Sequence, residues 1–320
     1  TDVILNDNAA HYQQLNLEPN GAGGGVYNTG RLSATGLTLN FATANDGGAI
    51  VNLGTLDLTD GLIADASSLR CTGLYNGGGA SATLTRVTIA RNLAFIDELS
   101  GNGGGYGSAL CNDGRARLEA TSVISNYARV FAAGIWNNGN LELENTTIAN
   151  NTLDAGFGGD GIAISTSGAV TADNVSIAGN VAEFTSTLPI HALIATGAGR
   201  FVLKNTLIAE TPAEQNCTGT VISLGHNLSD DSSCPLSATG DLTNTPALLL
   251  PLGDYGGSTF TRPPSKNSPA IDKGTNTDCP ASDQRGYARP ADGDLNGNAS
   301  CDIGAVEITP QHVFLPLIKR

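Results

Sequence analysis

Several residue types that most folds rely on are missing or rare in this chain, and each shortage removes a class of protein. There is no methionine, and charged residues make up only 14%, against about 25% in ordinary soluble domains. Glu and Lys are scarce and no segment sustains an i, i+3, i+4 apolar pattern, so helices are not the building unit. No run of 18 apolar residues occurs, which removes a membrane-spanning helix. Lys and Arg number 16 against 30 Asp and Glu, a net charge of -14, so nucleic acid is not a partner. Aromatics are 5% and Trp136 is the sole tryptophan, which leaves few platforms for stacking sugars. The four histidines, His11, His191, His226 and His312, stand singly, so no histidine cluster suggests a catalytic metal. Thr1 follows neither an initiator Met nor a basic-then-apolar leader, as expected of a mature, processed product.

What is plentiful is Gly, 41 residues, with Thr, Asn, Ile, Val and Leu, a strand-and-turn composition. It is organised in two recurring phrases. The first reads GGGVYNTG (23-30), GGAIVNLG (47-54), GLYNGG (73-78), SALCNDG (108-114) and AGIWNNG (133-139). The second reads ATLTRVTIARN (82-92), ARLEATSVISN (116-126), LELENTTIANN (141-151), VTADNVSIAGN (170-180) and FVLKNTLIAE (201-210). Self-similarity at this period means stacked supersecondary units.

Aligning the second phrase gives a column Leu84, Leu118, Leu143, Ala172, Leu203 and, five residues on, Ile89, Val123, Ile148, Ile177, Ile208. Both columns advance by the same steps, 34, 25, 29 and 31 residues, so insertions fall in loops outside the strands. The pattern LxLxxxxI suits two short strands joined by a bend with apolar faces inward. Such coils stack as parallel strands, and parallel crossovers are right-handed, which predicts an all-β, right-handed parallel β-helix. Two polar columns accompany it: Asn28, Asn52, Asn76, Asn112, Asn137 and Asn92, Asn126, Asn151, Asn180. Asparagine tolerates the left-handed bend, and stacked amides bond from coil to coil. About seven coils are expected between Gly23 and Glu210, at ~4.8 Å each. Trp136 shares the place of Tyr27 and Tyr75 and reads as a packing residue.

After Glu210 the repeats give way to specific text: SPAIDKG (268-274), DQRG (283-286) and CDIGAVE (301-307). These words resemble the C-terminal region of secreted bacterial β-helix proteins with Pmp-like repeats, the choice-of-anchor Q type. The resemblance implies an exported, cell-surface-associated protein without established enzymatic activity. The chain then divides into coils over 1-215, a choice-of-anchor Q-like region over 216-307 that continues or caps them, and an apolar tail over 308-320. Six cysteines suit an oxidising compartment. Cys217 with Cys234, and Cys279 with Cys301, are expected to close loops of about 20 residues. Cys71 and Cys111 lie on consecutive coils but four places apart, which leaves that bridge open.

Within 292-302, Asp292, Asp294, Asn296 and Asp302, with Gly297 at the sixth place, have the oxygen spacing of a calcium loop, although Ile303 stands where its closing Glu belongs. A structural calcium is the expectation, and no other cofactor. Arg285 and Arg289 are expected to brace the loops through Asp283 or Asp292. The rest of the inventory is poor for a polysaccharide lyase or glycosidase, which needs a carboxylate cluster on a strand face. A rigid rod with variable loops suits an adhesin for polysaccharide or another cell. The terminal strands favour a homopolymer. Val3, Ile4 and Leu5 open the chain as an apolar strand, and Val313, Phe314, Leu315, Leu317 and Ile318 form a run with no core of their own. A head-to-tail extracellular filament or sheath is the leading expectation.

Overall fold

A computed structural model describes residues 23–45, 47–95, 106–154, 161–183, 193–210 and 215–310, and the backbone of Val3–Asn6 and Ala9–Ala10. It is a parallel β-helix. Coil two shows the plan: strands Ile50–Asn52, Thr55–Thr59, Leu62–Ala64 and Ser67–Ser68 follow one another around the coil. Equivalent strands of successive coils pair in parallel, forming four ladders. The first two ladders merge into one 14-stranded sheet, because coil seven carries both strands as the single long strand Ile194–Lys204. The third ladder has 9 strands and the fourth 7. Seven coils occupy 26–209 among the described residues, and Cys217–Ser223 with Leu228–Ser229 add an eighth. No helix occurs among the described residues, so none there is long and apolar enough to cross a membrane.

The register is the one the columns predict. Leu84 pairs with Leu118, then Leu143, Ala172 and Leu203, while Ile89, Val123, Ile148, Ile177 and Ile208 form the parallel series. All of these side chains point into one continuous buried core. The third-ladder strands are short because a left-handed residue stands at each end of them. These are Asp60 and Asp65 in coil two, Arg86 and Arg91 in coil three, and Asn145 and Asn150 in coil five. The asparagine columns are ladders. Asn28, Asn52, Asn76 and Asn112 each donate an amide N–H to the next asparagine's Oδ1 at 2.7 Å, and Asn137 ends the series on Thr166. Asn92, Asn126 and Asn151 do the same at 2.8–2.9 Å, and Asn180 ends that series on the carbonyl of Ile148.

All three disulfides form: Cys217–Cys234, Cys279–Cys301 and Cys71–Cys111. The offset between Cys71 and Cys111 is real, since Cys71 faces the region of Gly107. Both Cys71 and Gly107 are left-handed, and this corner turns the chain so that Cys111 comes back over it. A Cβ on Gly107 would sit 2.4 Å from Cys111 Sγ, so only glycine leaves room for the bridge.

Beyond coil eight the chain first closes the solenoid and then turns back along it. Cys234 and Leu236 complete the core at this end, and Leu242 bridges in parallel to Leu228. The remainder lies as a flap on the outer face of the third ladder. There Ala247, Ala270 and Ile303 pack on Leu207, Ala209 and Leu228, and Leu252 packs on Ala90, Ile124 and Ala149. The strand residues beneath are small, Ser122, Thr147 and Ser176 among them, and are buried by the flap rather than facing water.

Candidate functional site

The flap is held by groups that the sequence reading left unassigned. Gln284 is its central anchor. Its Nε2 donates toward Thr121 O, Ser122 Oγ, Thr259 Oγ1 and Phe260 O, and its Oε1 accepts from Thr147 Oγ1 at 2.6 Å. A third asparagine column, Asn145, Asn174 and Asn205, occupies the left-handed corner before the third strand in coils five to seven. Their side-chain amides donate to the flap carbonyls of Ser282, Asp302 and Thr275. In coils two and three the same corner holds Asp60 and Arg86, which pair with each other, and the flap meets Asp60 through the Ser258 hydroxyl. That change from charge to asparagine was the available signal for where the flap lies. The glycosylation-type triplets beginning at Asn145 and Asn174 are thus buried attachment points.

Inside the flap, Arg285 pairs with Asp283 at 2.7 Å and Arg289 with Glu307 at 3.2 Å, all four side chains being at most 1% exposed. Arg289 takes Glu307 instead of the expected Asp292. With Asp302 the cluster has one more carboxylate than guanidiniums, and burial drives the carboxyls of Asp302 and Glu307 above their ordinary range. These arginines brace the flap and have no outlet to a substrate.

The loop over 292–302, whose spacing suggested a calcium site, is assembled differently from that spacing. Asp292 and Asp294 meet Asp272, 20 residues earlier, with carboxylate oxygens within 4.8 Å of one another. Asp302 serves elsewhere, accepting the N–H groups of Asp272 and Ile308, because it is fully buried under the flap. Asn296 donates its N–H to both Asp292 and Asp294 and its amide to Asp294. Asp272 in turn accepts the N–H groups of Gly293 and Asp294. A pure oxygen set of this kind fits a hard divalent cation.

Among the described residues, depressions on the solenoid surface include two of note. One, of about 330 Å³, sits on the second ladder among Arg117, Glu142, Glu144, Asp173, Lys204 and Leu224. Its charges are mutually paired, Arg117 with Glu144 at 2.7 Å and Lys204 with Asp173 at 2.9 Å. Burial raises the Asp173 carboxyl despite Lys204. The other, of about 410 Å³, is a trough on the third ladder where the flap stops. Its floor is Thr38, Leu62, Thr88 and Ile124, and Ser258 and Phe260 close one end. Arg86 binds Asp60 through Nε and Nη2 at 2.6 and 2.9 Å, and Arg91 binds Asp65 likewise at 2.8 and 2.6 Å. The Arg86 hydrogen bonds hold the Asp60 carboxyl below its ordinary value.

Of the strands expected to act in assembly, Val3, Ile4 and Leu5 pair within the chain, to Leu37, Thr38 and Leu39. Val313, Phe314, Leu315, Leu317 and Ile318 lie outside the described residues. Trp136 packs in its column against Tyr106, ring centres 5.7 Å apart. Comparison of the chain with protein-family profiles, with curated proteins and with solved structures finds no match.

Proposed function

We propose that this chain is an extracellular structural subunit, without enzymatic activity, that joins head-to-tail with its own copies in a cell-surface filament or sheath. The observation that carries the reading is the state of the two solenoid ends. The third ladder runs one strand further than the 14-stranded sheet at the start, with Val3–Asn6, and is covered at the finish by Leu242. The 14-stranded sheet is different. At its finish Cys217–Ser223 pairs only with coil seven among the described residues, and Ile222 and Leu224 are 41% and 62% exposed. At its start Val26, Leu32 and Ala34 are only partly buried, unlike the inward residues of later coils.

An edge strand with exposed apolar side chains is a template for another strand. A direct coil-on-coil stack is obstructed by the occupied third ladder, so a donated strand suits these edges better. The apolar run 313–318 of a neighbour has the composition for it, and such a contact does not close, so it propagates. The disulfides and the resemblance to choice-of-anchor Q proteins support export. Electron microscopy of the secreted protein tests this. Filaments should form, and should be lost on deletion of 311–320 or on Ile222→Lys; native material that is monomeric, or filaments indifferent to both changes, overturns it.

A second reading, surface contact with extracellular polysaccharide, is favoured by the trough beside Phe260.

A further inference from the structure

We infer that the trough on the third ladder is a binding site for one glycosyl unit of a polysaccharide, a pyranose whose apolar C–H face rests on Phe260 and Leu62 while its oxygens meet the rim. The inference rests on the polysaccharide reading above and supplies its site. The trough is bounded on both sides by the ion-paired corners Arg86–Asp60 and Arg91–Asp65, which join coils two and three. It holds about 410 Å³, at the small end of ligand pockets, which run from about 300 to 1,000 Å³. That is room for a ring and its substituents rather than for a folded partner.

The chemistry of the lining selects the ligand. Each carboxylate engages the Nε–Nη2 side of its guanidinium, which fixes both planes and leaves the Nη1 side of each arginine for a further acceptor. Thr38 and Thr88 add hydroxyl groups that donate and accept, and the Ser258 hydroxyl, donated to Asp60, offers its oxygen as an acceptor. Between them lie Leu62, Ile124 and Phe260, and Phe260 is 47% exposed at the flap's end. Fixed donors around an apolar floor with one aromatic wall match a ring that is apolar on its face and oxygen-rich at its edge. The two aspartates balance the two arginines, so the site takes hydroxyl-rich neutral sugars as well as uronates.

A peptide is the competing occupant, since the flap itself fills the same face further along. The flap is gripped there by Asn145, Asn174 and Asn205, whose amides donate to backbone carbonyls. At the trough those positions are Gly36, Asp60 and Arg86. The peptide-holding amides are replaced by an ion pair, which favours the sugar.

Calorimetric titration of the whole protein with cellohexaose, mannohexaose, chitohexaose, hexagalacturonate and a peptide of residues 311–320 tests the site. At least one oligosaccharide should bind, the neutral and uronate arms telling which edge group the arginines meet. Phe260→Ala and Arg91→Gln should each weaken it about tenfold or more, roughly 1.4 kcal/mol, with Leu53→Ala, an exposed side chain in the turn between the first and second ladders, as the unaffected control. Phe260 engages the solenoid through its carbonyl, so its side chain can be removed without releasing the flap. Binding that survives both changes sinks the trough and spares the polysaccharide reading. No sugar binding at millimolar concentration sinks both. Binding of the peptide alone, abolished by Phe260→Ala, assigns the trough to a chain segment and overturns the glycan.

Discussion

Replacing Asn112 by Ala removes a central rung of the first amide ladder, and the structure sets the size of the effect. Asn112 Nδ2 donates to Asn137 Oδ1 at 2.7 Å, to Asn140 O at 3.0 Å and to Gly114 O at 3.3 Å, while its Oδ1 accepts from Asn76 at 2.7 Å. Without it, Asn137 Oδ1, fully buried, loses its donor. An orphaned buried acceptor costs about 1–3 kcal/mol, and each further net hydrogen bond about 1 kcal/mol, so Asn112→Ala should destabilise by roughly 3–5 kcal/mol. Asn28→Ala is the internal control. Asn28 stands at the ladder's beginning, and although it also bonds Thr55 O and the Gly30 N–H, Asn52 Oδ1 keeps a second donor, the N–H of Gly54 at 3.2 Å, so no buried acceptor is orphaned and the loss should be about 2–3 kcal/mol. Urea titration followed by circular dichroism measures both, and hydrogen exchange should place the Asn112 damage in coils four and five, because stability in a solenoid is a sum of local terms. Equal midpoints for the two variants would refute the ladder as a stabilising device.

Gln284→Leu should loosen the flap by about 1–3 kcal/mol by leaving the buried Thr147 hydroxyl without its acceptor, while the carbonyls of Thr121 and Phe260 keep the Thr147 N–H and the Ser122 hydroxyl. Deuterium uptake should rise at 258–262 and 282–289 and stay constant in coils one to three; unchanged uptake would remove Gln284 from the role of anchor. The flap should also be more stable in mild acid. The carboxyls of Asp302 and Glu307 are raised by burial among Arg289, Asp283 and Arg285, so the folded state binds protons more tightly than the unfolded one. That stability is fully present below the ordinary carboxylate range of about 4 and is lost as pH rises through the elevated folded values. Protection factors at 301–307, taken against the intrinsic exchange rate at each pH, that are higher at neutral pH than at the acid end of this window contradict the sign. Calcium should protect 292–300 from proteolysis in the wild type and lose that effect in Asp272→Asn; protection that persists in the variant would show that the trio is not the cation's seat.

The repeat wrote its own register. Period-2 alternation fixes which side chains face the core, and a slip of one residue would expose every Leu and Ile of a column, so alignment alone found the rungs Leu84 to Leu203 and both asparagine ladders. Disulfides that close short loops were legible for the same reason, because sequence neighbours are spatial neighbours. The bridge Cys71–Cys111 was not, since it depends on two left-handed corners that shift the side chains by four places. Spacing placed Asp292 and Asp294 together but could not supply Asp272, which comes from a segment 20 residues away.

Amino-acid order alone settled what repeats, because each coil contacts only the coil before and after it. The flap belongs to the other category. Its path back over five coils depends on contacts 130 to 163 residues apart, such as Gln284 with Thr121 and Asn174 with Gly304, and no local propensity encodes such pairings. Where the flap ends, and hence where the trough lies, was decided only when those distant groups met in three dimensions.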